Sequence, residues 1–252
     1  MGLKQPQFVN GEIYHIVNRG VEKRNIFQQI SDYFRFIFCL HECNNENPVV
    51  MRDRLDECKK YIGKSIGDTY EGRGSSEKIK KKPLVEIMAF CLMPNHFHLA
   101  VRQVKEGGIS LFMKKLGDSY VGYFNKKHQR VGMGSLFQGS FKAVHIKTTN
   151  QLINVICYIF TNPVELLEKN WKETGVKNFK KAIQYLNTYR WSSYLDYIEK
   201  KNFPLVSQRD FIFRVFGGSG NIKKFVEIRI LSKTEMNKTL DDVKTLTLET
   251  PS

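Results

Sequence analysis

Two apolar runs, 84–92 and 96–103, separated by a tight turn through Pro94-Asn95, constrain this chain more than any other feature. Their length and punctuation, with Gly107-Gly108 closing the second run, predict an antiparallel pair of strands. Side chains in a strand alternate faces. In Met93-Pro94-Asn95-His96-Phe97-His98-Leu99, His96 and His98 therefore point one way and Phe97 the other. Two imidazoles on one face are within reach of a single divalent cation and leave positions open for a third ligand, substrate or water. A hydrogen-bonded sheet histidine with no metal role has the same spacing, so His-x-His alone does not decide between the two.

The flanking segments supply the rest of a fold. Glu12 to Asn18 is rich in β-branched and aromatic residues and reads as a first strand, ended by Arg19-Gly20. Ser31 or Asp32 is expected to cap a helix whose apolar positions Phe34, Ile37 and Phe38 run towards Asn44. Ile109, Phe112, Met113, Leu116, Tyr120, Tyr123 and Phe124 form the stripe of a helix over 109–128, and Gly132 and Gly134 break it. Leu136 to Ile146 reads as another strand. Thr149 or Asn150 is expected to cap a third helix, which stops near Asn162 because Pro163 disfavours helix at the residue before it. Strand, helix, two strands, helix, strand is the order of a split β-α-β unit, hence an α+β ferredoxin-like antiparallel sheet with helices packed on it.

The expected organisation is a catalytic domain over 1–165, a helical C-terminal extension over 166–235, and a flexible tail over 236–252. Within the first, 51–83 reads as an insertion: a polar helix at 52–66, then a basic loop through Gly72-Arg73-Gly74-Ser75-Ser76 and Lys80-Lys81-Lys82.

Forty Lys and Arg against 25 Asp and Glu give a net charge of +15, which speaks to partners rather than to fold. Nucleic-acid backbone is the polyanion such a surface meets, although basic surfaces also serve solubility. The five cysteines form no C-x-x-C pair and are odd in number, so neither a disulfide framework nor a zinc knuckle is expected. With no signal peptide and no apolar run approaching about 18 residues, a cytoplasmic, nucleoid-associated protein is expected.

Five blocks in order carry a resemblance: Y-H-I-V-N-R-G, F-C-L-M-P-N-H-F-H-L, Y-F-N-K-K-H…G-S-L-F-Q-G-S-F-K, Y-I-F-T-N-P-V-E and Y-R-W-S-S-Y. Together they resemble the HUH single-tyrosine transposases, particularly the REP-associated tyrosine transposases, over roughly residues 8–200. The resemblance implies an HUH endonuclease fold and a transposase-like enzyme that cleaves and rejoins single-stranded or hairpin DNA. It makes His96 and His98 ligands of Mg²⁺ or Mn²⁺ and Tyr158 the nucleophile, which forms a 5′-phosphotyrosine link and frees a 3′-OH. Relatives draw a third ligand from one turn beyond the tyrosine, which is Asn162 here. An Asn that merely ends a helix before proline is the competing reading. Relatives act as monomers or homodimers, and REP-associated ones recognise short palindromes folded as hairpins.

Helix geometry bears on Tyr158 separately. At about 100° per residue, Leu152, Ile153, Ile156, Ile159 and Phe160 gather on one face, while Tyr158 falls opposite with Gln151, Asn154 and Asn162. Tyr120 is the runner-up nucleophile, but it lies on the apolar stripe with Leu116 and Phe124 and reads as core. DNA-binding candidates in or beside the matching blocks are Arg19, Arg24, Lys126, Lys127, Arg130, Lys142 and Lys147. Phe137 and Phe141 can stack on unpaired bases or be buried. His15 reads as structural or substrate-contacting, and His41, His128 and His145 as bland. Asn95 either orients a ligand histidine or only makes the turn. Competing functions are a domesticated, catalytically weak or inactive protein that binds structured nucleic acid, an unrelated ferredoxin-like RNA-binding protein, and metal-dependent hydrolysis through bound water.

Overall fold

The structure is a computed structural model and describes residues 6–48, 82–130 and 132–232. The expected polar helix at 52–66, most of the 51–83 insertion and the 236–252 tail lie outside the described residues. Strands β1 (Ile13–Arg19), β2 (Val85–Met93), β3 (His96–Gln103) and β4 (Lys142–Ile146) form one sheet in the order β2-β3-β1-β4. Every pairing in it is antiparallel. With α1 (Ile30–Glu42) after β1 and α2 (Gly108–Lys127) after β3, the topology is the expected α+β one.

Period-two alternation divides the core into two layers. Tyr14 and Ile16 of β1 and Phe97, Leu99 and Val101 of β3 face α1 and α2, meeting Phe36, Leu40, Phe112, Leu116, Tyr120 and Phe124. The opposite face, including Ala89, Cys91, Met93 and Ala100, packs on α3 (Thr149–Thr161) through Leu152, Ile156 and Phe160. The C-terminal extension joins this second layer. Trp171, Leu186, Tyr197, Phe216 and Ile230 are buried in the same cluster as Ile156.

Several boundaries differ from the sequence reading. Gln29, not Ser31 or Asp32, caps α1, and Asp32 is its reciprocal partner in a capping box. Thr148, not Thr149 or Asn150, caps α3 by accepting from the Gln151 N–H at 3.2 Å. The strand expected over 136–146 begins only at Lys142. Ahead of it, Phe137 makes an isolated bridge to Gly20, and Gly139 turns the chain at φ 74° while its N–H donates to the Phe137 carbonyl.

Two features hold the hairpin that carries the histidines. The Pro94 carbonyl accepts from the N–H groups of Ile26 and Phe27 at 2.8 and 3.0 Å, and the Asn95 carbonyl from Gly20 at 2.9 Å. Gly20 fits because a Cβ there would collide with the Arg24 carbonyl oxygen. On the outer edge of β2, Leu92 N–H donates to the Trp191 carbonyl and Ser193 N–H to that of Phe90. The aromatic segment around Trp191 thus covers an edge that would otherwise present unpaired backbone.

Candidate active site

Register places the candidate residues on one face. Arg19 pairs with His96, Val17 with both His98 and Lys142, and His15 with Ala100. Directly opposed residues project to the same side of a sheet, as do residues two apart along a strand. His15 and Arg19 of β1, His96 and His98 of β3, and Lys142 of β4 therefore share the α3 face.

The His96 and His98 ring centroids are 4.9 Å apart. Asn95 does more than turn the chain: His96 Nδ1 lies 2.6 Å from Asn95 Oδ1, an acceptor, so Nδ1 carries the proton and Nε2 the lone pair. His98 Nδ1 lies 3.0 Å from His15 Nε2, and its own Nε2 is buried with no partner. With Nδ1–H donating to His15, the orphaned nitrogen is a lone pair, which is the tautomer that metal ligation selects. Burial holds all three imidazoles neutral. It lowers His15 to about 4 and, with the Arg19 and Lys172 charges, His96 to about 4; burial and then the neighbouring histidines push His98 well down. The donor set therefore fits a divalent ion at His96 and His98. Among the described residues, no cluster of three or more His, Cys, Asp or Glu side chains is arranged to hold one.

Tyr158 on α3 reaches this face. Its ring stands edge-on to His98 at 5.3 Å and to His15 at 5.9 Å. The side chain is half-buried rather than on an open polar face; Gln151 and Asn154 are exposed, but Asn162 is buried. The C-terminal extension accounts for the difference. Lys172, in the short helix Trp171–Thr174, puts its ammonium 5.0 Å from the Tyr158 ring centre, and Arg229, in a helix over 219–232, its guanidinium at 5.6 Å. Lys172 Nζ also donates to Asn162 Oδ1 at 3.2 Å. Ligation of an ion by that oxygen would require the ammonium to give way. Sequence reasoning missed both cations, because they lie 14 and 71 positions beyond Tyr158 and no local pattern links them.

The other candidates separate by layer. Tyr120 is fully buried among α1 and α2, on the far side of the sheet, with its hydroxyl donating to the Ile26 carbonyl and its pKa pushed up by burial. Lys127 Nζ is 2.7 Å from the buried Asp32 carboxylate, which also meets His128 at 3.1 Å. Arg130 is 8% exposed, over the Phe124 ring and bonded to Asn125. Arg24 is paired with Glu22. Arg19, Lys126, Lys142 and Lys147 are exposed, Lys126 on α2 away from the histidines. Phe137 is in the core and Phe141 packs on Phe8. Among the remaining histidines, His41 contacts Glu42 and His145 contacts Glu12.

Comparison with known proteins gives the following. Residues 58–162 match the family model described as "Transposase IS200 like". That stretch contains His96, His98, Tyr158 and Asn162, and it begins inside the segment that reads as an insertion. One solved structure, a REP-associated tyrosine transposase bound to a REP hairpin, is 13% identical, with 83% of this chain and 93% of that chain covered at a TM-score of 0.47. No curated protein matches.

Proposed function

We propose, from the premise that this chain belongs to the HUH single-tyrosine (IS200-like) transposase family, that it cuts and rejoins single-stranded or hairpin DNA through Tyr158. The family indicates a transposase-type nuclease acting on DNA. The observation that carries the finer reading is the Tyr158 ring set against His98 on the face that also holds His15 and His96.

In the proposed reaction Tyr158 Oη attacks phosphorus, the bond from phosphorus to the 3′-oxygen breaks, and a 5′-phosphotyrosine forms. The proton lost by the phenol is matched by the one the 3′-oxygen takes up, so the step is proton-neutral. The covalent link retains the phosphodiester's energy, and rejoining by a 3′-OH needs no nucleotide cofactor. His96 and His98 would hold Mg²⁺ or Mn²⁺, with Asn162 the candidate third ligand; the ion would supply Lewis-acid polarisation of a phosphate oxygen. An imidazole donor set suits Mn²⁺ better than the oxygen-seeking Mg²⁺. Asn95 and His15 fix the ring orientations of His96 and His98.

Covalent capture tests the reading. The full chain is incubated with Mn²⁺ and labelled hairpin-bearing single strands from its genomic flanks, beside Tyr158→Phe and His96→Ala. A denaturation-resistant adduct made by the wild type and lost in both variants is expected. An adduct retained by Tyr158→Phe overturns the choice of nucleophile. The Lys172 contact on Asn162 favours one second reading, a binding-only protein; tight hairpin retention with no adduct is its signature.

A further inference from the structure

Beyond the two histidines and the tyrosine, the site collects donors that have nothing to donate to. Asn162 is 1% exposed and its Nδ2 has no partner, although its Oδ1 is held by Lys172. Arg229 Nε is also buried without a partner, and burial lowers the guanidinium's pKa. A buried donor left unsatisfied destabilises the fold unless something arrives to accept from it. Besides Asn162, Lys172 Nζ meets one carboxylate, Glu165 Oε2 at 3.6 Å. Two cations thus lie over one tyrosine ring, and the unused amide N–H belongs to the residue one helical turn further on, which one of those cations holds.

We infer that Lys172 and Arg229, with the Asn162 amide, form an anion cradle that binds the non-bridging oxygens of the phosphodiester Tyr158 attacks. The inference rests on the proposed function and makes the C-terminal extension part of the catalytic centre. Negative charge on those oxygens grows most in the crowded transition state, and preorganised donors in a water-poor site act there rather than on the bound substrate. Bond changes are those already given: the Tyr158 oxygen joins phosphorus, the 3′-oxygen leaves with a proton, and neither cation gains or loses one.

The test uses the full chain with Lys172→Gln, Arg229→Gln, Lys172→Arg and Arg229→Lys, in two arms. At saturating oligonucleotide, each Gln variant should slow single-turnover adduct formation by about 10²–10³-fold while DNA affinity changes little, and the charge-conserving variants should recover part of the rate. In the second arm, calorimetry with inorganic phosphate alone should show binding to the wild type that weakens at least about tenfold when either charge is removed. Thermal melting identifies any Gln variant that fails to fold, and the charge-conserving partner then decides the position. Adduct rates within about twofold of wild type overturn the cradle and leave the tyrosine nuclease intact. If the wild type forms no adduct on any oligonucleotide, the nuclease reading falls and the phosphate arm decides alone. Phosphate binding that depends on both cations then upholds the cradle; binding indifferent to them, or none, overturns it.

Discussion

Tyr158 and Tyr120 carry the same phenol into opposite surroundings, and their substitutions should separate cleanly. Tyr120 sits among Phe27, Phe36 and Phe124 with its hydroxyl on the Ile26 carbonyl, so Tyr120→Phe strands a buried acceptor. It should cost about 1–3 kcal/mol of stability, read by chemical denaturation, and leave adduct formation unchanged. Tyr158→Phe should keep the ring's contacts with His98 and Lys172 and so melt like the wild type while forming no adduct. Asn95 offers a second test at this scale. Its Oδ1 fixes the His96 tautomer, and outer partners of ligand histidines are commonly worth about 10–100-fold in metal affinity. Asn95→Ala should weaken Mn²⁺ binding by that amount in calorimetry, whatever happens to cleavage; an unchanged affinity would remove Asn95 from the site.

Between elements, the joint of α1 and α2 depends on Asp32. Burial by itself would raise this carboxyl, but hydrogen bonds from Lys127, the Gln29 and Gln28 N–H groups and His128 outweigh it and hold the pKa below the usual carboxylate range. A depressed folded-state pKa contributes stability that is present above the unfolded value near 4 and is lost as pH falls through the lower folded value. Asp32→Ala should lower stability at neutral pH by about 2–4 kcal/mol, combining a lost cap with lost charged hydrogen bonds. It should also flatten the wild type's decline below about pH 4 in denaturation midpoints. What the sequence made legible at this scale was local. Alternation exposed the shared face of His96 and His98, and the 3.6-residue period put Tyr158 away from Ile156 and Phe160. Three things stayed hidden because they depend on chain distant in sequence. The Phe137 bridge to Gly20 displaces the start of β4, Lys172 and Arg229 close over Tyr158, and His15 supplies the partner of His98. For Asn95 the sequence left two roles open, turn residue or partner of a ligand histidine, and the contact with His96, which depends on the rotamer of that next residue, decides for the second.

For the whole molecule the net charge of +15 matters less than which layer carries it. The α1–α2 layer spends Lys127 and Arg130 internally, on Asp32, Asn125 and the Phe124 ring. The α3 face leaves Arg19 and Lys142 exposed beside the histidines. A single strand crossing that face towards Tyr158 would release counterions from the phosphates these two side chains neutralise. The logarithm of the binding constant falls with the logarithm of salt by about 0.7 per phosphate contact on single strands. Arg19→Gln and Lys142→Gln should each reduce that slope by about 0.7 in anisotropy titrations across a salt series. Lys127→Gln should leave the slope alone and instead lower the melting temperature, since its charge already has a buried partner. Were Lys127→Gln to reduce the slope while Arg19→Gln did not, the strand would run over α2, and Tyr158 would lie on the wrong side of the sheet to meet it.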